Sequence, residues 1–451
     1  MEIAELHRLF LGTTGVTTDS RAIKGGEMFI ALKGENFDGN EYALKALEAG
    51  AAYAVVDRGS RYDGTDDRII PFPDTLAALQ ALARYHRENT MVGGERLTVI
   101  GLTGTNGKTT TKNLIREVLS QKYRVTATEG NLNNDIGVPL SLLKINAETE
   151  IAVIEMGANH PDDIEKLVKV AEPDYGLITN VGKAHLLGFG SFDGVKAAKG
   201  KLYDYIAENG KAVFLNSDDA NLREMASRRE GISVIPYGNR EWKTEIIPSD
   251  ADHPYLRVAI PMGDQTIDAD SDMLFVVETN LVGSYNADNV LAAIAVGMYF
   301  GVDVGDAFSA IRSFVPANNR SQMVKTERNS LIVDAYNANP TSMAAALDNF
   351  AMAQSGSKVA LLGDMRELGA ESVAEHEAIV RKVSGIPMSL VCYVGEEFRK
   401  ALENVGKEDN VLWFESSEAL ASYLAGNRLE GSLVLVKGSR GIQMEKAIPQ
   451  L

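Results

Sequence analysis

Short apolar runs recur along the chain, separated by amphipathic stretches long enough to be helices. Leu97-Thr98-Val99-Ile100-Gly101-Leu102 reads as a strand apolar enough for burial on both faces. A helix is expected from Thr109 to Ser120, with Leu114, Ile115, Val118 and Leu119 on one stripe. Further strands are expected at Ile151 to Glu155, Tyr175 to Thr179 and Ala212 to Leu215, with helical segments between them. Strand and helix alternating at these lengths predict a doubly wound parallel sheet.

The flanking regions read similarly. Glu27 to Leu32 and Ala52 to Val56 are strand candidates around a short helix from Tyr42 to Ala49, which makes residues 1–85 a small α/β unit. Asp57 to Asp67 is a polar loop. Pro71 and Pro73 then break the chain before an amphipathic run, Leu76 to Tyr85, that leads into the next unit. Beyond Pro316, strand candidates at Leu331 to Val333, Val359 to Leu362, Leu390 to Val394 and Leu433 to Val436 predict another open α/β sheet, without a G-x-G-x-x-G turn. The expected division is 1–85, 86–315 and 316–451, and the 451 residues fit about three domains at roughly 150 residues each. No internal repeat or low-complexity tract is present.

Composition narrows the partners. Hydrophobic residues make up 45% and charged residues 24%, ordinary for a soluble globular protein. The formal net charge of −17 argues against nucleic acid as the main partner, so a polyanionic ligand must be met by a local positive site. Cys392 is the sole cysteine, which excludes an intrachain disulfide and a cysteine zinc cluster. The N-terminus lacks the pattern of a secretion signal, and the apolar stretch around Val290 to Val302 is too short to span a bilayer. No membrane partner and a cytoplasmic location are expected.

The most specific local chemistry follows the strand ending at Leu102. Gly104-Thr105-Asn106-Gly107-Lys108-Thr109-Thr110 is a glycine turn opening a helix. Gly104 and Gly107 let the backbone wrap close to phosphate oxygens, the first helical amides point at them, Lys108 supplies a point charge and the Thr109 hydroxyl can ligate Mg²⁺. The strict G-x-x-x-x-G-K-[ST] pattern is not met, since its first glycine falls at Leu102. A plain turn with a solvated lysine is the alternative. Glu155, at the carboxyl end of its strand, is either a magnesium ligand or an acid exposed to water. His185, a lone histidine, is more often structural than a ligand, and Lys199 by default sits on a solvated helical face.

These residues, with several longer stretches, resemble the Mur ligases of bacterial cell-wall precursor synthesis across essentially the whole chain. The stretches are Asp19-Ser20-Arg21, Phe29 to Glu35 and Asp38-Gly39, Gly130-Asn131-Leu132-Asn133-Asn134-Asp135-Ile136-Gly137-Val138-Pro139, Asp334-Ala335-Tyr336-Asn337-Ala338-Asn339-Pro340, Gly363 to Gly369, and Val436-Lys437-Gly438-Ser439-Arg440. The resemblance is greatest to the branch that joins D-alanyl-D-alanine to UDP-N-acetylmuramoyl-tripeptide. It implies an N-terminal UDP-substrate domain, a central ATP-binding domain and a C-terminal Rossmann-like domain. It also implies an ATP-dependent, ADP-forming amide ligase with two Mg²⁺, acting as a monomer.

Residue by residue, the resemblance assigns Thr109, Glu155, His185 and a carbamylated Lys199 to the metals, and Lys108, Lys199, His185 and Arg320 to catalysis. It assigns Gly104 to Thr110, Asn286, Asn289, Arg320, Asp334, Tyr336 and Asn337 to ATP, and Ser20, Arg21, Asn133 and Asn134 to the substrate. Asn286 is also plausible as mere helix N-cap polarity. Sister ligases adding one amino acid are the rivals. Folate polyglutamate synthases typically carry Gly-Lys-Gly-Ser where this chain has Gly-Lys-Thr-Thr, and the Asp-Asn-Pro-Arg run of the preceding diaminopimelate ligase is absent. A nucleotide switch without chemistry is the rival from another class.

Overall fold

A computed structural model describes all residues except 250–252, 264–265 and 317–319. Its backbone is organised around three mostly parallel sheets. The first has four parallel strands in the order β1 (Val16–Thr17), β2 (Met28–Ile30), β3 (Tyr53–Asp57) and β4 (Ile69–Phe72). Helix α1 (Thr75–Asn89) follows, capped by the Asp74 side chain, and runs without a break through the boundary expected at 85–86. It packs against the helices Gly137–Leu142 and Asp163–Ala171 of the next unit.

The central sheet has six parallel strands: β5 (Thr98–Thr103), β6 (Val125–Ala127), β7 (Ile151–Glu155), β8 (Tyr175–Ile178), β9 (Ala212–Asn216) and β10 (Val234–Tyr237). Their spatial order is β6-β7-β5-β8-β9-β10. Every residue of β7, β8 and β9 is buried, as a sheet covered on both faces requires. Because β5 lies between β7 and β8, the loop after β5 opens at the point where chain connections diverge to either side, the usual ligand position of such sheets. Helix α2 (Lys108–Leu119) packs on helix α4 (Ala287–Tyr299), which is buried along most of its length. A Cβ on Gly297 would stand 2.3 Å from Val118, so glycine lets the two helices approach closely. The apolar run near Val290 is thus a core helix. Helix α3 (Phe192–Asn209) falls between α2 and α4 in sequence and packs on the helix Asp163–Ala171.

A small antiparallel sheet, formed by Glu245–Ile247, Arg257–Gly263, Thr266–Ile267 and Leu274–Glu278, was not foreseen from sequence. The third large sheet comprises β11 (Gln322–Lys325), β12 (Ser330–Asp334), β13 (Lys358–Gly363), β14 (Leu390–Val394), β15 (Val411–Phe414) and β16 (Leu433–Lys437), in the order β11-β12-β16-β13-β14-β15. All its neighbours are parallel except the edge strand β11. Helix α5 (Pro340–Met352) follows β12.

The first unit is tied to the second through a buried histidine relay. His86 Nε2 faces the Ile145 carbonyl at 2.8 Å, so it must donate, and His86 Nδ1 then accepts from His7 Nε2 at 3.0 Å. Burial lowers the pKa of both groups, and the charge of His86 further lowers that of His7. Unfolding restores an ordinary pKa near 6.5, so the unfolded chain binds more protons in mildly acidic solution, and the relay's contribution is lost as pH falls below that value. The melting temperature should therefore drop between about pH 7 and pH 5, more steeply in the native chain than in His7→Leu/His86→Leu. Equal slopes would show that the relay carries no titration-linked stability.

Candidate active site

The phosphate loop is shaped by two close approaches. Gly104 has φ +151°, and a Cβ there would stand 1.9 Å from the Thr179 hydroxyl at the end of β8. Gly107 has φ +77°, and its Cβ would stand 2.5 Å from Asn289 Oδ1. The close packing of α2 on α4 therefore brings Asn289 to the loop. Asn289 Oδ1 accepts from the Thr111 hydroxyl at 2.9 Å, and its Nδ2 donates to Asn286 Oδ1 at 2.9 Å. Asn286, which opens α4 without capping it through its side chain, donates instead to the Val282 carbonyl. Lys108 Nζ donates to the loop's own carbonyls, Gly104 at 2.8 Å and Thr105 at 3.1 Å. Burial lowers its pKa, Glu155 opposes that shift, and Arg320 adds to it.

Glu155 is 1% exposed, which corrects the reading of it as an acid in water. Its Oε1 accepts from Asn133 Nδ2 at 2.8 Å and from the Thr109 hydroxyl at 3.2 Å, while its backbone N–H donates to the Thr128 hydroxyl at 3.0 Å. Lys112 Nζ donates to the Thr128 carbonyl and stands 4.0 Å from Oε2. Oε2 is buried with no hydrogen-bond partner among the described residues. A buried, orphaned carboxylate oxygen beside a threonine hydroxyl at the phosphate loop is a donor set suited to a hard cation such as Mg²⁺.

Lys199 is 3% exposed, so the solvated-face reading of it is also corrected. It sits on α3, where Val195, Lys199, Leu202 and Ile206 are buried at helical spacing. Its ammonium finds no hydrogen bond or ion pair among the described residues; the ring of Phe189 lies 5.9 Å away. Burial, followed by the positive charge of Lys108, lowers its pKa well below the ordinary lysine value. The shift favours the neutral, nucleophilic form of the amine. His185 has φ +52° and contacts the carboxylate of Glu367, which itself has φ +64°. Its pKa is lowered by burial, against Glu367, and lowered again by Lys108 and Lys199. Of the six non-glycine residues with positive φ among those described, His185, Glu367 and Ser321 lie at this site. Strained backbone concentrated in this way is a mark of function.

One cleft of about 760 Å³ is lined by Thr105 to Thr110, Glu155 and His185 on one side. Arg320, Asp334, Tyr336, Asn337 and Lys437 of the third region line the other. Arg320 stacks on the Tyr336 ring at 3.6 Å, and Lys437 pairs with Asp334 across neighbouring strands. Asn133 and Asn134 also line the cleft, the first bonded to Glu155 and the second accepting from the Gly137 N–H at 2.8 Å. Gly104, Lys199, Ser20 and Arg21 do not line it. Arg21 is exposed and bonded to Asp19, which caps the turn Ser20–Ala22.

Sequence reasoning assigned no role to Lys112, Asn180, Glu367, Asn339 or Lys437, all of which hold groups of this site. The last three lie in stretches quoted above for their resemblance, which was the available signal.

A strand–phosphate loop–helix unit facing a second open α/β sheet across one polar cleft defines a nucleotide-using enzyme of ligase architecture, and the chain belongs to the Mur ligase family. The family models match as Mur ligase family, catalytic domain over residues 13–87, Mur ligase middle domain over 102–297, and Mur ligase, glutamate ligase domain over 319–440. UDP-N-acetylmuramoyl-tripeptide–D-alanyl-D-alanine ligase of Bacillus subtilis is 33% identical over 444 residues, covering 97% of this chain and 93% of that protein. MurF from Acinetobacter baumannii superimposes with a TM-score of 0.85 at 29% identity, covering 100% of this chain and 98% of that one. MurF from Thermotoga maritima in complex with ADP has a TM-score of 0.81 at 27% identity, covering 98% and 97%.

Proposed function

We propose that the protein is an ATP-dependent ligase that joins D-alanyl-D-alanine to UDP-N-acetylmuramoyl-tripeptide in peptidoglycan precursor synthesis. The observation that carries this reading is the single cleft shared by the phosphate loop and the cations of the third region. The full-length relatives and their names support it. Three working units, 1–85, 86–315 and 316–451, serve the tripeptide nucleotide, ATP and the closing of the site. The protein works in the cytoplasm as a monomer; among the described residues no helix is long and apolar enough to cross a membrane.

A carboxylate is a poor electrophile and must be activated. A terminal carboxylate oxygen of the tripeptide attacks the γ-phosphorus, the bond to the β–γ bridging oxygen breaks, and ADP leaves. Lys108 and Arg320 face the transferring group and neutralise its charge. Thr109, Glu155, His185 and Lys199 as its carbamate would hold two Mg²⁺, which supply further positive charge there. The lowered pKa of Lys199, unpartnered among the described residues, suits carbamylation, because only the unprotonated amine attacks carbon dioxide. The amine of D-alanyl-D-alanine then attacks the acyl carbon, the bond to the phosphate oxygen breaks, the nitrogen gives up a proton and phosphate leaves. Asn286 and Asn289 offer donors and acceptors to adenine, with Asp334, Tyr336 and Asn337 toward the ribose.

Asn133 and Asn134 belong to a wall that reaches α1, where Gln80 donates to the Asp135 carbonyl at 3.1 Å. The peptide runs along this wall and its nucleotide end lies toward the first unit, with Ser20 and Arg21 as uridine diphosphate contacts. Closure excludes water from the acyl phosphate. The closure turns about the boundary at Pro316, next to residues 317–319, which lie outside the described residues.

Supplied with ATP, Mg²⁺, the tripeptide nucleotide and D-alanyl-D-alanine, the protein should release phosphate only when the dipeptide is present and yield the pentapeptide mass. Release indifferent to the dipeptide, or better use of a single amino acid, would sink the assignment.

A further inference from the structure

Asn339 opens α5 with a capping box: its Oδ1 accepts from the Ser342 N–H at 2.9 Å, and the Ser342 hydroxyl accepts from the Asn339 N–H at 3.1 Å. Serine, threonine or aspartate would cap as well. Asparagine alone among the good caps also carries amide donors, and here the amide is used. Asn339 Nδ2 donates at 2.8 Å to Oδ1 of Asn106, a residue of the phosphate loop 233 positions away. The reverse pair, Asn106 Nδ2 to Asn339 Oδ1, is longer at 3.4 Å.

Asn106 is otherwise held entirely by the central sheet. Its N–H donates to Asn180 Oδ1 at 3.0 Å, and its carbonyl accepts from the Thr179 hydroxyl at 2.6 Å and from Asn180 Nδ2 at 3.0 Å. Only its side chain reaches the third region. Asn339 is 6% exposed, Asn106 is half-buried, and both residues line the cleft. Beside it, the Lys183 N–H donates to the Thr341 hydroxyl at 3.2 Å, and Gly182 is packed so tightly there that a Cβ would stand 2.8 Å from the same oxygen.

We propose that Asn339 is a positioning residue that fixes the third region to the phosphate loop through Asn106. Its amide oxygen holds the start of α5, and its amide nitrogen sets where that start sits against the loop. Arg320, Asp334 and Tyr336, on the same sheet unit, are thereby brought to the nucleotide. The inference rests on the ligase reading for its turnover arm alone.

The test replaces Asn339 with serine and with aspartate, which keep a cap and lose the donor, and Asn106 with alanine. Calorimetric affinity for a non-hydrolysable ATP analogue with Mg²⁺ is measured alongside kcat and the melting temperature. Asn339→Ser, Asn339→Asp and Asn106→Ala should each weaken analogue binding and lower kcat by about tenfold, and Asn106→Ala/Asn339→Ser should be no worse than either single by more than about twofold, as expected for one shared interaction. Melting of Asn339→Ser should stay close to the native chain because the cap survives. Unchanged affinity in Asn339→Ser would overturn the proposal. So would losses that multiply in the double variant, or a loss confined to Asn339→Asp, which would mark simple repulsion of phosphate. Failure of the native chain to ligate the dipeptide would instead strike the ligase reading and leave the calorimetric arm intact.

Discussion

Lys108→Ala should lower kcat by a factor of a thousand or more, about 4 kcal/mol of transition-state stabilisation, with little change in folding. The side chain bonds only to carbonyls of its own loop, so its removal strips no partner from the core. It also removes a like charge from Lys199 and His185, whose pKa values Lys108 lowers. A second consequence follows: with Lys108 gone, the Lys199 amine regains some basicity and is less readily carbamylated. Turnover within tenfold of the native chain, measured at saturating ATP and Mg²⁺, would remove Lys108 from the chemistry.

Lys199→Ala should cost a comparable factor, roughly 10² to 10³ in kcat, and should weaken activation by Mg²⁺. Folding should not suffer. A lysine head at 3% exposure with no hydrogen-bond partner among the described residues is costly to bury in either protonation state, so Lys199→Met, which fills the space without a polar group, should melt at or above the native temperature while remaining inactive. Isotope-labelled bicarbonate should give a carbamate resonance in the native chain that both variants lack. A fully active Lys199→Met would contradict the metal-ligand role, and a native chain without the resonance would contradict the carbamate.

The parallel sheets were legible because strands buried on both faces are written as unbroken apolar runs. Ile151–Glu155 and Leu390–Val394 fall where the sequence places them. Short edge strands were not. Val125–Ala127 is only half-buried, and Leu274–Glu278 exposes four of its five residues, so neither carries a clear period of two. Their pairing is decided by neighbours distant in sequence. The phosphate loop was legible because its chemistry is local, whereas the Asn106–Asn339 contact spans the chain and cannot be read from either stretch alone.

Lys199 lies between these cases. The spacing of Val195, Lys199, Leu202 and Ile206 places it on the apolar stripe of its helix, a signal outweighed in reading by the habitual exposure of lysine. The left-handed backbone at His185 and Glu367 left no trace, since neither residue type announces that conformation.

The central claim is that the tripeptide carboxylate is activated by phosphoryl transfer before the amine attacks. Tripeptide nucleotide carrying heavy oxygen in its terminal carboxylate, incubated with ATP, Mg²⁺ and D-alanyl-D-alanine, decides it. The released phosphate should carry one heavy oxygen per ligation, because the acyl–oxygen bond breaks and the carboxylate oxygen leaves with phosphorus. Pentapeptide formed alongside wholly unlabelled phosphate would contradict the account.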